Sequence, residues 1–403
     1  MDEQTREGIQ STAIRLPHRA ALLILIAIGC ASSAAHIGNN FTTYLIGGMV
    51  DRYGFSPLRM GAFAMAETMA YAVAMFLVAR RVARLSARTV ALVSTLIVFA
   101  AQGLCVLTSV YPLLLASRVA TGFGFGLMNS AVNLAAGRTG QPTRAISAGI
   151  ALQTLLFAAV NLGLPVIGAR HGIEGMFAAL ALLSAILGLG TLLLPADRGA
   201  GPARVTAAAA PINAQGAMIL VAMALFSCGS MAIWPFMERA AHAIGISAVQ
   251  FGRYQSLATL VSAVGSISLT VVVTRLRRSF ALAVALAICG AACAVLTTAV
   301  LPSAFGVALA VYNASWFITY PLLLGLAFAV DGTGRLAVTA SGTWLLSQSA
   351  GSLAAGAFAQ AFGSYRPIGP LGLISCLAAV AIVWPVARRV ERHSGVPVVA
   401  AAN

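Results

Sequence analysis

The chain has 403 residues, 60% of them hydrophobic and only 9% charged, with a net charge of +15 and a mean hydropathy of +0.91. A soluble protein of this length has no interior large enough for that much apolar side chain, so the composition excludes a water-soluble enzyme or binding domain and makes lipid the solvent for much of the surface. The positive excess, which in a soluble protein would suggest nucleic acid, is here a matter of where along the chain it falls.

Runs of about 20 apolar residues, the length that crosses a bilayer as a helix, recur from Ala20 almost to the C-terminus. They lack the period-two alternation of barrel strands, so they predict helices. Twelve spans are expected, at roughly 20–48, 58–79, 88–109, 112–136, 145–168, 175–194, 216–238, 247–273, 280–301, 303–329, 337–362 and 369–387. The first is too long for a cleaved leader and reads as a retained helix. The six cysteines all fall inside spans and form no CxxC pair, which favours packing over disulfide or metal roles.

The first span is the most polar. His36, Asn40 and Tyr44 recur every four residues and share a face, with Asn39 beside them, so this face should look into a cavity or a neighbouring helix. In the second span stands Glu67 and in the fourth Arg118, each inside an apolar run where a charge costs about 2.5–3.5 kcal/mol on insertion scales. The topology puts both in the same half of the membrane, so pairing is feasible, and the pair reads either as energy-coupling machinery or as a structural lock. His36 is a further proton-coupling candidate because imidazole titrates near neutral pH. Arg84 and Arg88 mark the loop between spans two and three, and Gly122, Gly124 and Gly126 follow Arg118 at a spacing that permits close helix contact.

Between Pro195 and Gln215 the chain turns Ala, Gly and Pro-rich. This predicts an N-terminal bundle of residues 1–195, a linker of 196–215 and a C-terminal bundle of 216–403. Two echoes support parallel halves: Gly54, Ser56 and Gly61 recur as Gly245, Ser247 and Gly252, and Gly137 to Gly140 are echoed by Asp331 to Gly334. In the second half Trp234, Asn313, Trp316, Tyr320, Trp344 and Gln348 are the cavity candidates. Asn313, Trp316 and Tyr320 share one helical face, and Trp344 and Gln348 lie one turn apart, which suits a small organic ligand. Interfacial anchoring is the alternative for the aromatic residues.

There is no lysine, and the arginines concentrate in alternate loops, which predicts both termini in the cytoplasm. Without lysine no phosphate-binding loop ending in Lys-Ser or Lys-Thr exists, and the five histidines form no metal-binding set, so neither an ATP-driven pump nor an enzyme is expected. No metal and no cofactor are expected; the proton is the expected coupling ion.

With Arg118, Gly122, Gly124 and Gly126 standing as R-x-x-x-G-x-G-x-G in the fourth span, the chain resembles the major facilitator superfamily over nearly its full length. The second-to-third loop resembles that family's Gly-x3-Asp-Arg-x-Gly-x-Arg signature. Arg84 and Arg88 match its basic positions, whereas Ala79, Ala83 and Ser86 stand where the signature has Gly, Asp and Gly. Pro165 and Gly168 match part of the antiporters' fifth-helix pattern. The resemblance implies an all-α fold of twelve transmembrane helices in two pseudo-symmetric six-helix bundles, working by alternating access around a central cavity. It points to a secondary transporter, with proton symport of a small organic solute, such as an organic acid, as the leading expectation. Proton-antiport efflux and a transport-inactive receptor or assembly factor on the same fold are the alternatives. The expected setting is a bacterial cytoplasmic (inner) membrane, with a small-molecule substrate and the lipid bilayer as partners, no nucleic acid, and a monomer sufficient for function.

Overall fold

In the computed structural model, residues 18–79, 85–137, 139, 142–194, 196, 212–272, 277–331 and 335–393 are described. Arg84 and most of the second echo (Arg138, Gly140 and Gly332 to Gly334) lie outside them. Helices α1 (His18–Tyr53), α2 (Pro57–Ala79), α3 (Ala87–Leu107) and α4 (Tyr111–Ala136) come first. The 49-residue helical run Pro142–Gly190 is too long for one crossing, and Gly172, with φ 68° and ψ −166°, divides it into α5 (142–171) and α6 (173–190). Gly149 approaches Ile28 and Gly190 approaches Cys30, so both ends of the run lie at one depth of α1 and the run folds back on itself.

The second half contains α7 (Ala214–Ser230), α8 (Ala248–Val272), α9 (Arg278–Thr298), α10 (Pro302–Val330), α11 (Arg335–Phe362) and α12 (Ile368–His393). The seventh crossing is not the single helix expected over 216–238. It breaks after Ser230, passes through a 3₁₀ turn at Trp234–Phe236 and resumes as the short helix Met237–His242. Pro235, with no N–H and a fixed φ, is the local reason the α-helical ladder cannot run through.

Eight helical stretches of described residues are long and apolar enough to cross a bilayer, one of them being the doubled run. α4, α8 and α11 are not among them; α4 carries Arg118 and α11 a series of Ser, Thr, Gly and Gln residues. Such groups need protein around them at membrane depth. α4 has it, lying between α2 and α3, while α11 lies between α7 and α2.

Packing repeats between the halves. α2 against α4 and α3 against α4 are matched by α8 against α10 and α9 against α10. The first sequence echo has a structural meaning. Gly54 and Gly245 both have positive φ, +64° and +82°, where a side chain would be strained. Ser56 and Ser247 each accept a backbone N–H of the following helix through Oγ. Gly61 and Gly252 then sit on two seams between the halves. Gly61 faces the backbone of Gly356 where α2 meets α11, and Gly252 faces that of Asn161 where α8 meets α5. The same turn chemistry thus places a close-approach glycine on each seam.

Candidate functional site

Arg118, Gly122 and Gly126 recur every four residues and form the face of α4 turned to α2. A Cβ on Gly122 would collide with the Glu67 carbonyl, and one on Gly126 with the Tyr71 carbonyl. Gly124 points the other way, where its carbonyl accepts Ser94 Oγ of α3 at 2.6 Å. The alternating glycines therefore bring two different helices against α4. One turn before Gly122 the same face carries Arg118, whose Nη2 lies 2.5 Å from Glu67 Oε2.

Both members of this pair are almost fully enclosed, with side-chain exposures of 1% for Arg118 and 3% for Glu67. Arg118 Nη2 also donates to Thr42 Oγ1 of α1. The guanidinium stands 4.7 Å from the Phe63 ring centre in cation–π geometry. Its Nε and Nη1 have no hydrogen-bond partner among the described residues, where Nη2 alone is engaged. A Cβ on Gly38 would touch both Glu67 carboxylate oxygens, which makes α1 the third wall. Gly122→Val should push α2 off α4 and separate the pair. We expect it to destabilise the protein by about 1–3 kcal/mol, the usual range for overpacking. Gly103→Ala, on α3 with open space around it, should instead be neutral or slightly stabilising, and thermal unfolding in detergent compares the two.

His36, Asn39 and Asn40 are half-buried, whereas Tyr44 is buried. His36 Nδ1 lies 2.8 Å from the Ser32 carbonyl, which places the ring proton on Nδ1 in the neutral form. Asn40 Nδ2 donates to the His36 carbonyl. Tyr44 separates from its expected partners: its hydroxyl donates to Asn161 Oδ1 at 3.0 Å and its ring packs on Phe251, so it belongs to the seam between α5 and α8. The His36 ring lies 6.5 Å from Tyr71, one turn beyond Glu67 on α2, so the half-buried face of α1 borders the turn that carries the carboxylate.

In the second half, Trp316, Tyr320 and Trp344 cluster. Trp316 and Tyr320 are stacked at 5.6 Å and 5°, and Trp344 leans on both at 5.9 and 5.2 Å. Gln348, a turn along α11 from Trp344, donates through Nε2 to Asn39 Oδ1 at 2.6 Å. Trp234, in the broken seventh crossing, donates through Nε1 to the Asn39 carbonyl at 2.6 Å. Asn39 thus ties α1 to two elements of the other half. Asn313 is buried and spends its amide on the Leu309 carbonyl of its own helix, so it is not grouped with the ring cluster. Arg88 donates through Nε to the Leu194 carbonyl and ties α3 to the end of the first half.

One cluster escaped the sequence reading. Beyond the break in the seventh crossing, Arg239 is held in a double fork. It donates to Asp51 Oδ1 and Oδ2 at 2.6 and 3.0 Å, and to Glu238 Oε2 and Oε1 at 2.7 and 3.1 Å. Asp51 is on α1, so the cluster bridges the halves at the end where α1 finishes, and the Glu238 N–H is accepted by Thr43 Oγ1 of the same helix. Gly47 makes room for the Glu238 carboxylate, which a Cβ there would strike. The available signal was the scarcity of acids: only ten occur in the chain, and two of them meet one arginine here.

No functionally curated protein matches the sequence. Among solved structures, the chain is similar to a single-site mutant of the nucleoside transporter NupG, with a TM-score of 0.68 and 14% identity over 92% of this chain and 99% of that one. It is also similar to a D-xylose–proton symporter, with a TM-score of 0.66 and 11% identity over 89% of this chain and 96% of that one. A bacterial homologue of the human lysosomal transporter Spinster, inward-facing and occupied, gives a TM-score of 0.66 and 15% identity over 94% and 97%. These likenesses establish a transporter fold of twelve membrane helices in two pseudo-symmetric bundles. The family model for the Major Facilitator Superfamily matches residues 26–343, and the chain, a multi-pass integral membrane protein, belongs to that superfamily.

Proposed function

We propose that the protein is a proton-coupled secondary transporter that brings a small organic solute inward by alternating access, with Glu67 as the proton carrier and Arg118 setting its poise. The observation that carries this reading is the enclosed pair itself, a carboxylate and a guanidinium 2.5 Å apart on α2 and α4. Burial favours the neutral acid and the nearby cation favours the carboxylate, so a modest change in separation or hydration moves a proton on or off. His36 and Tyr71 border the path by which that proton reaches the gap. A D-xylose–proton symporter on the same fold is consistent with such coupling.

In this reading the bundles are residues 1–195 and 216–403, joined by 196–215, and a monomer suffices because one chain supplies both. The arginine-rich loops face the cytoplasm of a bacterial cell with both termini, so the end closed by Arg239 is the outer one. Arg118 is engaged by Glu67 and almost unexposed, which supports an uncharged solute over an organic acid anchored on this guanidinium. Purified protein in lightly buffered proteoliposomes tests the reading. Adding a transported solute outside should alkalinise the external medium, and solute flux with no accompanying proton movement would refute proton symport.

A further inference from the structure

The geometry points to an uncharged, planar heteroaromatic or aromatic-amide solute, bound against Trp316, Tyr320 and Trp344 with its carbonyl acceptors on the two indole N–H groups. The inference rests on the transport reading for the site, and deepens it by naming the chemistry of what is carried.

Three observations converge. First, the three rings form one half-buried cluster on α10 and α11, and Gln348, one turn along α11 from Trp344, reaches across to Asn39 of α1. Such flat aromatic surfaces take a further ring in offset or edge contact, which adds to the area it buries. Second, Nε1 of Trp316 and Nε1 of Trp344 are shielded and have no hydrogen-bond partner among the described residues, and Gln348 Oε1, one turn from Trp344, is an acceptor in the same condition. A buried polar group left unpaired is costly, and unpaired groups in native structures call for an explanation. Two donors and one acceptor unsatisfied in one neighbourhood match a ligand edge that alternates C=O and N–H. Small rearrangements of the rings as the bundles rock would turn these groups toward such an edge.

Third, the neighbourhood lacks ionised groups. α10 contains no Asp, Glu, Arg, Lys or His from Pro302 to Val330, and α11 has only Arg335, nine residues before Trp344 and so about 13 Å down the axis. The nearby carboxylate, Glu67, is already neutralised by Arg118. A charged ligand would lose its hydration with no counter-charge to replace it, whereas a neutral amide edge would be fully answered.

The test is equilibrium binding to the purified full-length protein in detergent, read by calorimetry and by fluorescence, since Trp316 and Trp344 are two of only four tryptophans. Benzamide and uracil serve as neutral planar probes, benzoate as the charged match to benzamide, and D-xylose as the non-aromatic polyol. We expect saturable binding of the neutral planar probes, at least tenfold tighter for benzamide than for benzoate. Trp316→Phe and Trp344→Phe keep an aromatic ring and delete only the N–H, and each should weaken binding about tenfold. Trp384→Phe, on α12 beneath Arg388, should leave it unchanged. Equal or tighter binding of benzoate, preference for xylose, no saturable binding of either planar probe, or affinities unmoved by both cluster variants would overturn the inference. Binding needs no proton gradient, so a protein that binds these probes yet moves no protons sinks the coupling reading alone. One that couples protons to a solute without using the indoles sinks this inference alone.

Discussion

Glu67→Gln is expected to abolish proton-driven accumulation in proteoliposomes, so that an imposed pH gradient no longer raises the internal solute above the external level, while solute exchange across the membrane persists. The argument turns on what the carboxylate does for Arg118. In this structure the guanidinium has one counter-charge, and its Nε and Nη1 have no hydrogen-bond partner among the described residues. Removing one partner of such a buried pair costs about 3–5 kcal/mol, because the remaining charge is left uncompensated. Protonating Glu67 does the same thing chemically and reversibly. It makes the closed arrangement expensive and favours any arrangement in which water reaches Arg118, which is how a proton can bias a conformational equilibrium. Glutamine copies the protonated acid permanently, so it fixes the bias and removes its dependence on the gradient. Arg118→Gln should be worse for folding than Glu67→Gln with Arg118→Gln together, because the single variant strands the buried Glu67 carboxylate and the double variant strands no charge. Thermal unfolding separates these effects. If Glu67→Gln accumulated solute as well as the wild type, the pair would be a structural lock.

The features that could be read from sequence are those that depend on one helix at a time. Span positions follow from runs of apolar residues, and the turn at Gly54 and its copy at Gly245 follow from local backbone chemistry. The closeness of Glu67 to Arg118 could be anticipated because two charges at one depth in lipid have few ways to be tolerated. What depends on three helices meeting was not legible. Tyr44 shares a helical face with His36 and Asn40, yet α1 is gripped at Tyr44 by Asn161 and Phe251, so that part of the face is seam while His36 and Asn40 stay half-buried. Trp234 was expected in a cavity, but the break around Pro235 swings it onto the Asn39 backbone. Tyr71 carried no signal as a single residue in an apolar run; its place between His36 and the Glu67 turn exists only once α1 and α2 are side by side.

The Arg239 cluster leads to the second large effect. Arg239→Gln should open the end of the molecule where α1 finishes, and the reason is the asymmetry of the burial around it. Asp51 is 59% exposed in its side chain and would be hydrated without its partner, but Glu238 is 3% exposed and would not. Losing Arg239 therefore leaves a carboxylate enclosed between Gly47 and the broken seventh crossing, and this penalty falls only on the closed state, since opening hydrates Glu238. A bias of about 3 kcal/mol shifts a two-state equilibrium by roughly a hundredfold. Asp51→Asn should act in the same direction but more weakly, because Arg239 keeps Glu238. Leu58→Cys with Gln360→Cys, joined by a short bifunctional thiol reagent, provides the readout, since the two residues meet across the seam where the Leu58 N–H lies 3.4 Å from Gln360 Oε1. Cross-linking between them should be efficient in the otherwise unaltered chain, several-fold lower with Arg239→Gln, and intermediate with Asp51→Asn. Equal cross-linking in all three would mean that the apolar seams, Gly61 on Gly356 and Gly252 on Asn161, hold this end shut unaided and that the charges have no part in gating.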